Sequence, residues 1–157
     1  TSSVSRWTVA EPWTVIGIGN PLRGDDGVGE VVAERVRGLP GVGRVIGEGD
    51  PFDVADLLQG ARNIVLIDAT RGGREPGSIT VWEPTASGTV RGRIGASSHG
   101  FGADAAIELA SALAPLPERV VVVGVEGCCF EGVGLSAPVA AALDQAVAAV
   151  AGVTGDA

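Results

Sequence analysis

The chain is predicted to fold as one α/β unit, a three-layer α/β/α sandwich around a mostly parallel, twisted central sheet. Strand-like and helix-like segments alternate from residue 14 to residue 150 with no linker, repeat or low-complexity block between them, the pattern of a parallel sheet with crossover helices. Three strand-like runs, 14–18, 63–67 and 119–125, are almost continuously apolar and rich in Val and Ile, as strands buried on both faces are. The connections are short, which favours right-handed crossovers and helices on both faces.

Each element has its own signal. Thr14-Val15-Ile16-Gly17-Ile18 is the first buried strand, and Val28, Val31, Val32 and Val36 put apolar groups at helical spacing over residues 28–36. Residues 44–46 form a short strand and 54–58 a helix. Residues 63–67 form the second buried strand, which stops at Asp68. Gly72-Gly73 and Pro76-Gly77 mark turns before another strand at 77–82. Residues 85–102, rich in Gly, Ser and Arg without a period, read as a long loop of the functional or mobile kind. A helix follows at 103–114, closed by Pro115, and Val120-Val121-Val122-Val123 lies in the third buried strand. A last helix covers 138–150, with Ser136 as N-cap and Pro138 in its first turn. Residues 1–13 read as a loose leader and 151–157 as a tail, so that 1–157 is a single domain with its core at 14–150.

Composition narrows the function classes. At 157 residues, about two thirds of the unfolded surface can be buried. Hydrophobic residues make up 45% of the chain and mean hydropathy is +0.32, but the apolar runs fall well short of the roughly 18 residues of a membrane span. No basic start with an apolar core marks a signal peptide. A net charge of −8 with eleven scattered arginines disfavours nucleic acid, which needs clustered cations. The only cysteines, Cys128 and Cys129, are adjacent, which strains a disulfide between them and rules out a four-cysteine zinc site. They read as reduced, buried or semi-buried small hydrophobes in a cytoplasmic protein, with a redox or metal role as the alternative.

The segment with most chemical content is Gly17-Ile18-Gly19-Asn20-Pro21-Leu22-Arg23-Gly24-Asp25-Asp26-Gly27-Val28-Gly29. Gly19 and Gly24 have phosphate-loop spacing, but Asp25 and Asp26 stand where that motif needs Lys and then Ser or Thr. The third glycine of a dinucleotide fingerprint is also missing. Two carboxylates in a glycine-rich loop at the end of a buried strand suit a cation instead. Asp68, directly after the second buried strand, and His99, the only histidine, are expected to converge with Asp26 at one sheet edge. Two carboxylates and an imidazole leave open positions on a Zn, Ni, Fe or Mn ion.

Blander readings stand beside these. A lone histidine is more often structural than a ligand, and Asp68 could instead cap a helix or pair with an arginine. One of Asp25 and Asp26 is accounted for by the positive end of the following helix. Glu48 and Asp50 read as solvated turn residues near the same crevice, and Glu126 is a weaker candidate for the same edge. No Gly-x-Ser-x-Gly elbow is present, and nothing brings either cysteine to His99.

Taken together, the segment 17–29, Val65-Leu66-Ile67-Asp68-Ala69, Ser97-Ser98-His99-Gly100, and Val123-Gly124-Val125-Glu126 leading to Gly134-Leu135-Ser136 closely resemble the hydrogenase maturation proteases. The resemblance spans about residues 14–150. It implies an endopeptidase that trims the C-terminus of the large-subunit precursor of NiFe hydrogenases, with Asp26, Asp68 and His99 as the metal site and catalytic groups. It further implies that nickel already installed in the precursor is the recognition signal, although another divalent ion could occupy the isolated protein. Asp26 or Asp68 would serve as general base on a water while a cation polarises the scissile carbonyl. Glu48 matches a substrate-contacting position where aspartate is common. The chain departs from the family at Gly127-Cys128-Cys129-Phe130, where a Pro-Glu-Ser type of segment is usual. The alternatives are a non-catalytic metal-binding module on the same fold and a related protease with a different protein substrate.

Overall fold

The computed structural model describes residues 11–49, 51–84 and 103–155. The elements are β1 (Trp13–Ile18), a 3-10 turn (Gly24–Gly27), α1 (Val28–Arg35), β2 (Val42–Gly49), α2 (Pro51–Leu58), β3 (Asn63–Thr70), β4 (Ile79–Trp82), α3 (Ala103–Leu113), β5 (Arg119–Glu126), α4 (Ala137–Ala141) and α5 (Leu143–Thr154). The sheet order is β2-β1-β3-β5-β4. The pairs β1–β2, β1–β3 and β3–β5 are parallel, and β4 runs antiparallel on β5 at the edge.

Alternation along the strands builds two cores. Val15, Val65, Ile67, Val121, Val123 and Val125 face α1, α4 and α5, whereas Ile16, Ile18, Ile64, Leu66, Val120 and Val122 face α2 and α3. The three-layer α/β/α class is therefore the one the sequence predicts. Each side chain so buried stabilises the fold by about 1.5–3 kcal/mol before chain entropy is subtracted.

The chain leaves β1 through α1 on one face and reaches β3 through α2 on the other, so the strand order reverses between β1 and β3. Such a switch point opens a crevice at the carboxyl ends of the two strands. Two glycines let α1 start directly on it. A Cβ on Gly29 would stand 2.5 Å from the Ile67 carbonyl oxygen and 2.6 Å from that of Ile18, and one on Gly17 would strike the Gly29 carbonyl.

Several boundaries differ from the sequence-based ones. The second buried strand continues through Asp68 to Thr70, because β5 pairs with it up to Glu126. The short strand at 44–46 extends over Val42–Gly49 by pairing with β1, and α2 begins earlier, at Pro51. The last helix divides at Ala142, whose N–H turns back to Val139 at 3.0 Å. It then runs to Thr154, into residues read as tail. Trp13, read as leader, is buried at the start of β1. The loop expected at 85–102 lies outside the described residues.

Candidate active site

Asp26 is held at the crevice by the turn that follows β1. Gly19 adopts φ +129 against the Asp26 main chain, a conformation open to glycine and strained for other residues. Asn20 then organises the turn: its side chain accepts from Leu22 N–H at 2.9 Å, and its own N–H donates to Asp26 Oδ2 at 2.8 Å. The Asp26 N–H donates to the Arg23 carbonyl at 3.1 Å. Asp26 is half-buried.

Asp68 lies in β3 on the α3 side of the sheet and is 6% exposed. Its Oδ2 accepts from Ala103 N–H, the first residue of α3, at 2.9 Å. Burial pushes its carboxyl up to about 7; the hydrogen bonds from Ala103 and Ala69 oppose the rise, and the charges of Asp26 and Asp104 add to it. Asp26 and Asp68 are thus electrostatic neighbours across the β1–β3 crevice, and Asp68 is near half-protonation at neutral pH.

Asp25, one residue from Asp26, points into the protein and is fully buried. Its carboxylate accepts from Cys128 N–H (2.7 Å), Cys129 N–H (3.0 Å), Ser136 N–H (2.7 Å) and Ser136 Oγ (2.7 Å). Burial alone would raise its pKa, but these donors together hold it below the usual carboxylate range. Asp25 therefore fastens the β1 turn to the loop after β5. Glu126, also buried, closes the turn after β3: it accepts from Thr70 Oγ1 at 2.8 Å and from Gly72 and Gly73 N–H.

The crevice thus brings together Asp26 and Asp68. His99 lies outside the described residues, as does the Glu48 side chain near the end of β2. Among the described residues no three Cys, His, Asp or Glu side chains stand together as a metal-donor set. Three expectations are corrected. Ser136 occupies the N-cap position of α4 without a side-chain cap bond, because its hydroxyl goes to Asp25. Glu126 is occupied by the β3–β4 turn. Cys128 and Cys129 are exposed, not buried or semi-buried, since it is Phe130 that enters the core. Asn20 is not among the expected site residues. The signal was present: Asn before Pro initiates turns through its side chain.

A parallel sheet with paired carboxylates at its switch point defines a candidate hydrolytic site on an α/β/α domain. The family model described as HycI, hydrogenase maturation protease, matches residues 45–153, beginning in β2 after the Asp25–Asp26 turn. The chain is 30% identical over 140 residues to the hydrogenase expression/formation protein HupM of Azotobacter chroococcum mcd 1, covering 85% of this chain and 67% of HupM. This chain belongs to the hydrogenase maturation protease family, and its activity class is hydrolase, peptidase.

Solved structures agree on the fold. The NiFe hydrogenase maturation protease HybD from Thermococcus kodakarensis superposes with TM-score 0.70 at 22% identity, covering 91% of this chain and 99% of HybD. An endopeptidase from Escherichia coli gives TM-score 0.73 at 20% identity over 88% and 89% of the two chains. HycI from Thermococcus kodakarensis KOD1 gives 0.66 at 19% over 99% and 100%. Among the described residues no helix is long and apolar enough to cross a membrane.

Proposed function

We propose that this chain removes the C-terminal extension of a NiFe hydrogenase large-subunit precursor after nickel insertion, with the nickel carried by that precursor as the recognition signal. Asp26, Asp68 and His99 are the groups that reach the ion, and Glu48 contacts the substrate. The observation that carries this is the state of Asp68: a buried carboxyl, raised to about 7 and facing the charge of Asp26, is relieved by a cation. Membership of the maturation protease family supplies the substrate class.

The chemistry follows from the two carboxylates. A divalent ion at this edge would polarise the scissile carbonyl. Ionised, Asp26 or Asp68 takes the proton of the attacking water as general base. A carboxyl near 7 is also matched to returning that proton to the leaving amine at neutral pH. Because a proton on Asp68 competes with the ion, capture of the metallated precursor strengthens as pH rises through about 7.

The test is trimming of purified precursor, nickel-loaded and nickel-free, followed by intact mass. Wild type is expected to trim only the loaded form, and Asp26→Asn, Asp68→Asn and His99→Ala to lower the rate by about 100-fold or more. Equal trimming of both forms would exclude nickel as the signal, and unchanged rates in all three variants would exclude the site. If a loaded large-subunit precursor is left intact while another protein is cut, the substrate is a different one.

A further inference from the structure

The loop after β5 holds a vicinal dithiol whose backbone is wired to the β1 turn. Cys128 and Cys129 are both exposed, and their Sγ atoms stand 3.0 Å apart, one thiol donating to the other. That is within the roughly 3–3.5 Å of a near-attack geometry. The same two residues supply the N–H groups that bind Asp25 Oδ2, and the Cys129 carbonyl accepts from Asp25 N–H at 2.8 Å. The dipeptide is anchored on both sides. Gly127 N–H donates to Thr70 at 2.9 Å, and Phe130 is buried under the Arg71 guanidinium, 4.1 Å from its ring centre.

We infer that Cys128 and Cys129 are a reversible oxidation site whose closure to a vicinal disulfide withdraws the Cys128–Cys129 amides from Asp25 and so displaces the turn carrying Asp26. Adjacent Cα atoms are about 3.8 Å apart, whereas disulfide-linked Cα atoms are usually at least about 4.4 Å apart. Closure must therefore twist the intervening peptide, whose N–H is the Cys129 donor. With Gly127 and Phe130 fixed, the twist is transmitted to Asp25. A bridge closed against such geometry is also easily reduced, as a reversible site requires.

The oxidising equivalents come from a peroxide. One thiolate takes an oxygen from hydrogen peroxide, becoming a sulfenic acid as hydroxide leaves and is protonated to water. The neighbouring thiol sulfur attacks that sulfur, forming the S–S bond, and expels the oxygen as a second water once the thiol proton is passed to it. Two thiols and one peroxide give one disulfide and two waters. The Cys129 thiol is held above its usual range by its hydrogen bond to Cys128, with burial and the nearby Cys128, Asp25 and Glu131 adding to the rise. The Cys129 thiol is therefore protonated at neutral pH, and its reaction with peroxide quickens as pH rises.

The inference goes beyond the proposed function, and its test has arms that need no substrate. The full chain is treated with hydrogen peroxide, and intact mass, free thiol content and amide hydrogen exchange are followed. Expected are a mass loss of two hydrogens, disappearance of both thiols, and an increase of about tenfold or more in exchange at the Cys128, Cys129 and Ser136 amides, each reversed by dithiothreitol. Cys128→Ser and Cys129→Ser keep the amides and are expected to show no such intramolecular bridge and no change in exchange. In the precursor assay, oxidised wild type is expected to trim about tenfold or more slowly than reduced wild type. Both serine variants are expected to match reduced wild type before treatment. Formation of sulfinic acid or intermolecular dimers in place of the bridge, or a bridge that leaves amide protection unchanged, would overturn the inference whatever the precursor assay shows.

Discussion

Asp25 and Asp68 are two buried carboxylates on either side of one crevice, and they titrate in opposite directions. Asp25 accepts four hydrogen bonds from the loop after β5 and is held below the usual range. Asp68 accepts from Ala103 and Ala69, faces the charge of Asp26, and rises to about 7. Burial is common to both. What separates them is the supply of donors and the like charge beside Asp68: a saturated carboxylate is a structural anion, and an undersupplied one facing Asp26 is a proton store.

The largest expected effect tests the saturated member. Asp25→Asn sets an amide against three N–H donors and a hydroxyl, and should cost about 3 kcal/mol or more in urea unfolding at neutral pH. A loss under about 1 kcal/mol would mean the cradle is not a buried network. The same measurement should give the opposite sign at Asp68. A folded pKa of about 7 against 3.8 unfolded means stability is fully present below the unfolded value and declines as pH rises to about 7. Asp68→Asn should therefore flatten this slope and stabilise the protein at pH 8, by up to about 4 kcal/mol, while lowering trimming. For Asp25, with its pKa lowered, the stability is present above about 4 and is lost as pH falls below it.

Two smaller changes sharpen the contrast. Glu126→Gln replaces an acceptor of Thr70, Gly72 and Gly73 and should cost about 1–2 kcal/mol, with the amide exchange of Gly72 and Gly73 accelerated. Asn20→Ala removes the side-chain acceptor of Leu22 N–H and should cost about 1 kcal/mol in stability. Its larger mark should be on kcat, because the turn that orients Asp26 loosens; an altered KM with unchanged kcat would place Asn20 in binding instead.

Much of this was legible in the chain itself. Strands buried on both faces must be continuously apolar, so 14–18, 63–67 and 119–125 were visible as runs. Asp26 and Asp68 stood out as carboxylates where such runs meet loops. Less visible was whatever depends on a partner distant in sequence. Arg44-Val45-Ile46 lengthens into β2 only against β1, and Asp68 falls inside β3 only because β5 pairs beyond it. Ser136 has the composition of an N-cap, but its hydroxyl is taken by Asp25, 111 residues away. The two cysteines have the statistics of buried residues, and only the seating of Phe130 turns them outward.

The contact of α1 with the sheet bears on which substitutions this chain can absorb. At Gly17 and Gly29 the helix rests on main-chain atoms of β1 and β3, so the height of Asp26 above the crevice is gauged by backbone and not by side-chain volume. Valines and alanines of the core beneath can be exchanged, and the helix resettled around them, while this stop keeps the two acids in register. A methyl group at either glycine would jack the helix away and separate them, so chemistry and core packing are free to change on different schedules.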